Sequence, residues 1–351
     1  MIFFSMQDEL VKVDEEQGNT KTILKGLEVV SLTYDPFDTN RLYCGTYGRG
    51  LWRSLDAGEN WEPIGAPHAM EPLRETVIPY PHIMSLTVST KKSEQGYGVV
   101  YAGTEPSAIF YSEDGGDTWQ EFKGIQNLPS RLLWSYPPRP HTHHVRWIEA
   151  DPVNSSQLFA AIEFGAFLRS LDGGEHWEDR KFNGPLDTHT FAVHSKAPGR
   201  IYVAAGDGFH QPGRGYAESR DAGATWFYPN EGLHHQYLYT LAVDSGNPDI
   251  LLVGAAENPV QAHAPFQANT TIYRKKGEQP WEVVTNGLPS SDGTLIPTLA
   301  AHPSKAGVFF ALSNKGLFRS QDTGQTWIKL DVSWNEKFNH QHPLVLVVTP
   351  L

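Results

Sequence analysis

The sequence predicts an all-β protein, a single seven-bladed β-propeller, on three observations. An octet of the form Ser-x-Asp-x-Gly-x-x-Trp recurs along the chain, its copies are about one blade apart, and the two chain ends supply complementary parts of one further blade. The octets read "SLDAGENW" at 54–61, "SEDGGDTW" at 112–119, "SLDGGEHW" at 170–177, "SRDAGATW" at 219–226 and "SQDTGQTW" at 320–327, with a decayed "RKKGEQPW" at 274–281. Their tryptophans, at 61, 119, 177, 226, 281 and 327, stand 58, 58, 49, 55 and 46 residues apart. That interval suits four short strands plus a loop of variable length.

The chemistry of the octet is structural. Its Asp and Ser side chains can bond the backbone of a tight turn, its Gly supplies a positive φ, and its Trp fills the space between sheets. Each repeat has the same grammar, clearest in blade one: "VVSLTYDP" as innermost strand, "RLYCGTY" as second, "GLWRSL" as third, and "WEPI" after the octet as fourth. Six such units are complete. "LVLVVTPL" at the C-terminus reads as a lone innermost strand, while "IFFSMQ", "ELVKVDE" and "TKTILKG" at the N-terminus read as the other three. Blade seven is therefore expected from about 1–26 plus 342–351, making 1–351 one domain whose closure removes exposed sheet edges.

These octets resemble the Asp-box, or BNR, repeat, and the resemblance spans nearly the whole chain. Propellers of this kind include sialidases, xyloglucan-degrading enzymes, sortilin-type receptors and photosystem II assembly factors, so the fold alone licenses no single function. A true sialidase is not expected. The Arg-Ile-Pro element of that family is missing, and Arg74, Arg131, Arg139 and Arg146 do not recur as its arginine triad. Xyloglucanases of this resemblance use two propellers with a cleft between them, whereas this chain supplies one.

Charge and composition narrow the partners. A net charge of −12 speaks against nucleic acid and against anionic membranes, both of which need clustered Lys and Arg. One cysteine, Cys44, can form no internal disulfide, and no window has the roughly 18 apolar residues of a membrane helix. The N-terminus lacks the basic region and long apolar run of a signal peptide, so a cytoplasmic protein is expected. Its oligomeric state is left open.

Candidate site residues follow from register. The innermost strands align on Leu32, Leu86, Ile148, Phe191, Leu241, Leu299 and Leu346; four residues upstream stand Glu28, His82, His144, Asp187, Tyr237, Leu295 and His342. Six of these seven can ligate a metal or move a proton. In the His-rich run "PRPHTHHVRWIEADP" at 138–152, His144 is the histidine in register, while His143 points to the other side of an extended chain. Arg146, His189 and Tyr239 follow two residues further along, with His143, His235 and His340 flanking. The turns between second and third strands deliver Glu105, Glu163, Asp207 and Glu257 to the same side. By contrast, His194 and His302 replace the strand-end Asp and read as structural.

Converging imidazoles and carboxylates suit a divalent transition metal, whether Mn, Zn, Fe, Co or Ni. The expected ligands are His82, His144, His189, His342, Glu28 and Asp187. Tyr237 and Tyr239 would donate or accept protons, Glu105 and Glu163 would assist, and Arg146 would neutralise an anionic group. Four insertions, at 66–81, 123–143, 206–218 and 255–271, decorate this side and bring Tyr80, Trp134, Tyr136, Phe209 and Phe266 as possible walls. The leading expectation is a metal-dependent hydrolase or lyase for a small polar or anionic substrate. The alternative is a non-catalytic ligand- or protein-binding scaffold for assembly.

Overall fold

Seven antiparallel sheets are present in the computed structural model, which describes residues 1–15, 18–65 and 77–350. They are the blades of a seven-bladed β-propeller, and almost nothing else in the chain is regular. Blade one comprises Val29–Asp35, Asp38–Thr46, Leu51–Ser54 and Glu62–Ile64. In blade seven the C-terminal strand Pro343–Val348 pairs with Ile2–Met6, which continues through Glu9–Val13 to Thr20–Ile23. The N- and C-terminal segments thus share one sheet, as the strand grammar predicts.

The chain divides into two compact units. One contains Gly26–Thr188 and Asp221–Thr225, hence blades one to three; the other contains Met1–Lys25, His189–Arg220 and Trp226–Leu351, hence nearly all of blade four and all of blades five to seven. No helix is long and apolar enough to cross a membrane. Most of the first insertion, residues 66–76 with Arg74, lies outside the described residues.

The octets form the turns their composition dictates. In blade one Ser54 Oγ donates to Asp56 Oδ1 at 2.9 Å and accepts from Gly58 N at 2.8 Å, and Asp56 Oδ1 accepts from Asn60 N at 2.8 Å. The Trp61 indole closes the motif on Gly58 O at 3.2 Å. The same bonds recur at Ser112–Trp119, Ser170–Trp177 and Ser320–Trp327. The decayed octet has lost this closure: Trp281 remains buried, yet its indole donates to Pro229 O at 2.9 Å.

The full four-strand grammar fails in two places. Blades three and four have three strands each, and the expected fourth shrinks to an isolated bridge, Arg169 with Glu178 and Glu218 with Phe227. In blade three the side chain of Asp179 turns aside to accept from Ser130 N at 2.7 Å and from the Ser130 hydroxyl. In blade four Pro229 has no N–H for a ladder. Asn230 substitutes its side chain, accepting from Tyr216 N at 2.9 Å and donating to Tyr216 O at 2.7 Å.

A hydroxyl stitch joins successive innermost strands inside each unit. Ser85 Oγ donates to Val145 O at 2.8 Å, Thr190 Oγ1 to Tyr239 O at 2.8 Å, and Thr240 Oγ1 to Pro297 O at 2.6 Å. Each donor directly precedes an aligned apolar residue (Leu86, Phe191, Leu241), so the stitch confirms the register. It also explains Gly103, where a Cβ would stand 2.4 Å from Ser85 Oγ and 2.6 Å from Val145 Cβ. The two histidines read as structural behave so: His302 Nδ1 accepts from Ser304 N and Lys305 N, each at 3.2 Å, and His194 Nδ1 accepts from Lys196 N at 3.1 Å, the role of an Asx-turn Asp.

Candidate functional site

The register argument places its residues at strand starts. His82 and Tyr237 are the first residues of their strands, and Glu28, His144, Asp187 and His342 each directly precede one; Leu295, the exception in chemistry, is also out of step, three residues ahead of Thr298–Ala301.

In the unit holding blades one to three these residues assemble a chain of alternating charge. His144, buried just ahead of Val145–Ala150, directs Nε2 at Glu163 Oε2 (2.7 Å) and Nδ1 at Glu105 Oε2 (3.4 Å). Arg139 Nη2 donates to Glu105 Oε2 at 2.7 Å, and Arg146 Nε lies 3.4 Å from Glu163 Oε2. The order is thus Arg139, Glu105, His144, Glu163, Arg146. Burial by itself pulls the His144 pKa down, but the neighbouring Glu105 carboxylate and the hydrogen bond to Glu163 outweigh it and hold the imidazole above its ordinary value. Burial likewise pushes Glu105 up, and there His144 and Arg139 prevail, keeping its carboxyl below the usual range. The result is an imidazole of raised basicity set between two carboxylates.

Aromatic rings fix the outer end of this chain. The Arg139 guanidinium lies 5.0 Å from the centroids of both Tyr47 and Tyr136 and donates to the Tyr47 hydroxyl. Tyr136 packs edge-on to His144 at 4.8 Å, and Tyr47 covers His82 at 4.3 Å. Burial lowers the pKa of His82 despite the opposing pull of Glu105. Glu28 is largely exposed; partial desolvation raises its carboxyl against the pull of Arg139. Asp187 comes close to the network, with a carboxylate oxygen within 4.8 Å of one of Glu163. Among the described residues, no three-donor group includes His82, His144, His342 or Glu28.

The other unit holds a relay of tyrosine and histidine side chains. The Tyr237 hydroxyl meets His263 Nε2 at 3.0 Å and His189 Nε2 at 3.5 Å, and His263 Nδ1 meets His342 Nε2 at 2.8 Å. Backbone carbonyls fix the tautomers at both ends: His342 Nδ1 donates to Pro343 O at 2.7 Å and His189 Nδ1 to Leu238 O at 2.7 Å. In the neutral chain His342 Nε2 therefore accepts from His263 Nδ1–H, and His263 Nε2 accepts from the Tyr237 hydroxyl. Tyr239 packs on His263 and His342 at 4.6 and 5.9 Å without a place in this line.

Sequence reasoning missed His263 and Tyr47. His263 ends a short helix, Pro259–His263, in which Asn258 accepts from Gln261 N and Pro259 occupies the first turn. The "ENPVQAH" stretch carries that capping signal, which was the available clue. Glu149 was missed as well. Enclosure pushes its carboxyl up to about 7, although Trp147 Nε1 and Thr87 Oγ1 donate to it at 3.0 and 3.2 Å. Of the expected aromatic walls, Tyr136 enters the site, Trp134 is buried in the core beside blade three, and Phe209 and Phe266 are exposed. Asp207 begins a short helix, Asp207–His210, and the exposed Glu257 accepts from Gln261 Nε2 at 3.2 Å.

Residues 110–121, which contain the second octet, match the BNR/Asp-box repeat family. That match covers one repeat; the recurring turn bonds and the seven blades carry the fold assignment. The chain is an Asp-box repeat β-propeller. A xyloglucanase from Paenibacillus sp is 26% identical over 220 residues, covering 56% of this chain and 20% of that protein. The Asp-box propeller thus spans about a fifth of that relative's length. Among solved structures, the Niastella koreensis GH74 enzyme superposes with a TM-score of 0.68 at 16% identity, over 94% of this chain and 52% of that one. YCF48 bound to D1 peptide superposes with a TM-score of 0.54 at 20% identity, over 86% and 81%. At these identities the structures share the fold with this Asp-box propeller.

Proposed function

We propose that this Asp-box propeller is a hydrolase that cleaves a polar, hydroxyl-rich substrate by general acid–base catalysis, with Glu163 and Asp187 as the working carboxylates. The observation that carries this reading is the pairing of those carboxylates within 4.8 Å beside the buried His144 imidazole. Two carboxyls on one site can divide the acid and base roles, one donating a proton to a leaving group while the other accepts one. His144 Nε2 lies 2.7 Å and Arg146 Nε 3.4 Å from Glu163 Oε2, neighbours that suit Glu163 to the base role and leave the acid role to Asp187. Arg139, held between Tyr47 and Tyr136, offers a flat cation for a substrate oxygen. The xyloglucanase name of the partial relative supports a glycan as the substrate class.

A divalent transition ion is the competing form of this chemistry. Asp187 and Glu163 would supply oxygen donors, but the Arg146 cation 3.4 Å from Glu163 opposes a second cation there. Exposed Leu132 and Phe182, at 92% and 108%, together with the likeness to a peptide-bound propeller, favour protein binding as the second reading.

The test is turnover of aryl glycosides and xyloglucan oligosaccharides by the full chain, with and without EDTA, beside Glu163→Gln and Asp187→Asn. Expected are EDTA-insensitive hydrolysis and a loss of about 10²-fold or more in kcat for each variant. Hydrolysis abolished by EDTA and restored by one ion would replace the proposal with the metal form. No turnover of either substrate class would overturn it in favour of binding.

A further inference from the structure

We infer that blades five and six carry a second binding site, for an uncharged, ring-sized ligand with an apolar face and an acceptor oxygen. A cavity of about 560 Å³ opens there, built wholly from residues 235–318 and independent of the hydrolase reading. Its volume falls within the roughly 300–1,000 Å³ of small-molecule sites.

The lining specifies the ligand's chemistry. Val284, Leu288 and Phe318 form an apolar wall, while Thr271, Thr285 and Ser291 bring hydroxyls. Among the described residues no Asp, Glu, Lys or Arg lines the cavity. A charged ligand would lose hydration there with no opposite charge to replace it. Hydroxyls accept and donate with equal ease, so they suit neutral alcohol, ether or carbonyl oxygens.

One lining group has a fixed direction. The Tyr273 oxygen accepts from the backbone N–H of His235 at 3.3 Å and lies 2.7 Å from Nδ1 of the same residue. In the tautomer we infer, the Tyr273 hydroxyl gives its proton to Nδ1, and the ring proton of neutral His235 is on Nε2. Burial, which lowers the His235 pKa, favours that neutral ring. His235 thus offers an N–H donor to the cavity, and a bound ligand answers it with an oxygen lone pair.

Isothermal titration calorimetry of the full chain tests the site with phenyl β-D-glucopyranoside as the neutral probe and phenyl phosphate as the charged one. Two variants accompany it: Thr285→Trp, a bulky side chain at an exposed rim position, and His235→Phe, which keeps a ring and removes the donor. The expected result is saturable binding of the glucoside, at least about tenfold weaker in Thr285→Trp and several-fold weaker in His235→Phe, with no binding of phenyl phosphate. Failure of the glucoside to bind, equal binding of both probes, or indifference to Thr285→Trp would each overturn the assignment. Because neither variant touches Glu163 or Asp187, glycan hydrolysis by both distinguishes failure of this site from failure of the hydrolase reading.

Discussion

Replacing Glu149 with Gln should stabilise the protein above neutral pH and change little below pH 5. Enclosure raises the Glu149 carboxyl from its ordinary 4.5 to about 7, so the folded state favours the protonated form. A raised carboxyl keeps its full native stability below 4.5, loses it progressively between 4.5 and about 7, and above that range carries the whole cost of burying the charge. At about 1.36 kcal/mol per pH unit, the difference amounts to about 3 kcal/mol. Glutamine is neutral throughout and keeps both contacts, with Oε1 accepting from Trp147 Nε1 and Nε2 donating to Thr87 Oγ1. With an unfolding entropy of about 2.1 cal/mol/K per residue, 351 residues give roughly 0.7 kcal/mol/K, so the gain is a Tm rise of about 4 °C. Differential scanning calorimetry of both proteins at pH 8.5 and pH 5 measures it. An equal gain at the two pH values, or a loss at pH 8.5, would refute the reasoning.

Three further outcomes follow from the same geometry. His144→Ala leaves Glu105 and Glu163 without their shared histidine neighbour; because Arg139 and Arg146 still face them, the cost is the lower end of a broken buried pair, about 3 kcal/mol. Since the His144 pKa is raised, that deficit in Tm should be largest at pH 6 and shrink as the pH climbs past the imidazole's folded value; a gap that widens with pH contradicts the charge chain. Gly103→Ala drives a methyl into Ser85 and Val145, and urea unfolding should show a loss of about 1–3 kcal/mol, whereas Ala at the open turn position Gly173 meets no atom within 4 Å and should show only its positive-φ strain. Cys44, buried with its thiol pKa pushed up by burial, should resist Ellman's reagent in the native protein and react fully in denaturant; rapid native labelling would place it wrongly.

Whatever depends on neighbours in sequence was legible. The octets name their own turn because Ser, Asp, Gly and Trp bond within eight residues, and strand alternation fixes which side chains enter each sheet. Register was legible too, since a polar residue ahead of an apolar strand repeats with the blade. The fourth strands of blades three and four were not: Asp179 is drawn off by Ser130, 49 residues earlier, and Asn230 by Tyr216, through bonds that no local pattern encodes.

The site divides along the same line. Sequence alone determined that His144, Glu105, Glu163 and Tyr237 sit at strand starts and turns, because period and spacing place a residue along its own blade. Only the tertiary structure decided their partners and charges. Arg139 reaches Tyr47 across 92 residues and His263 reaches His342 across 79, and a hydrogen bond exists only when both ends arrive within about 3 Å. The raised basicity of His144 and the Glu149 carboxyl near 7 depend on surrounding dielectric and charge, which are properties of enclosure and therefore of the folded chain.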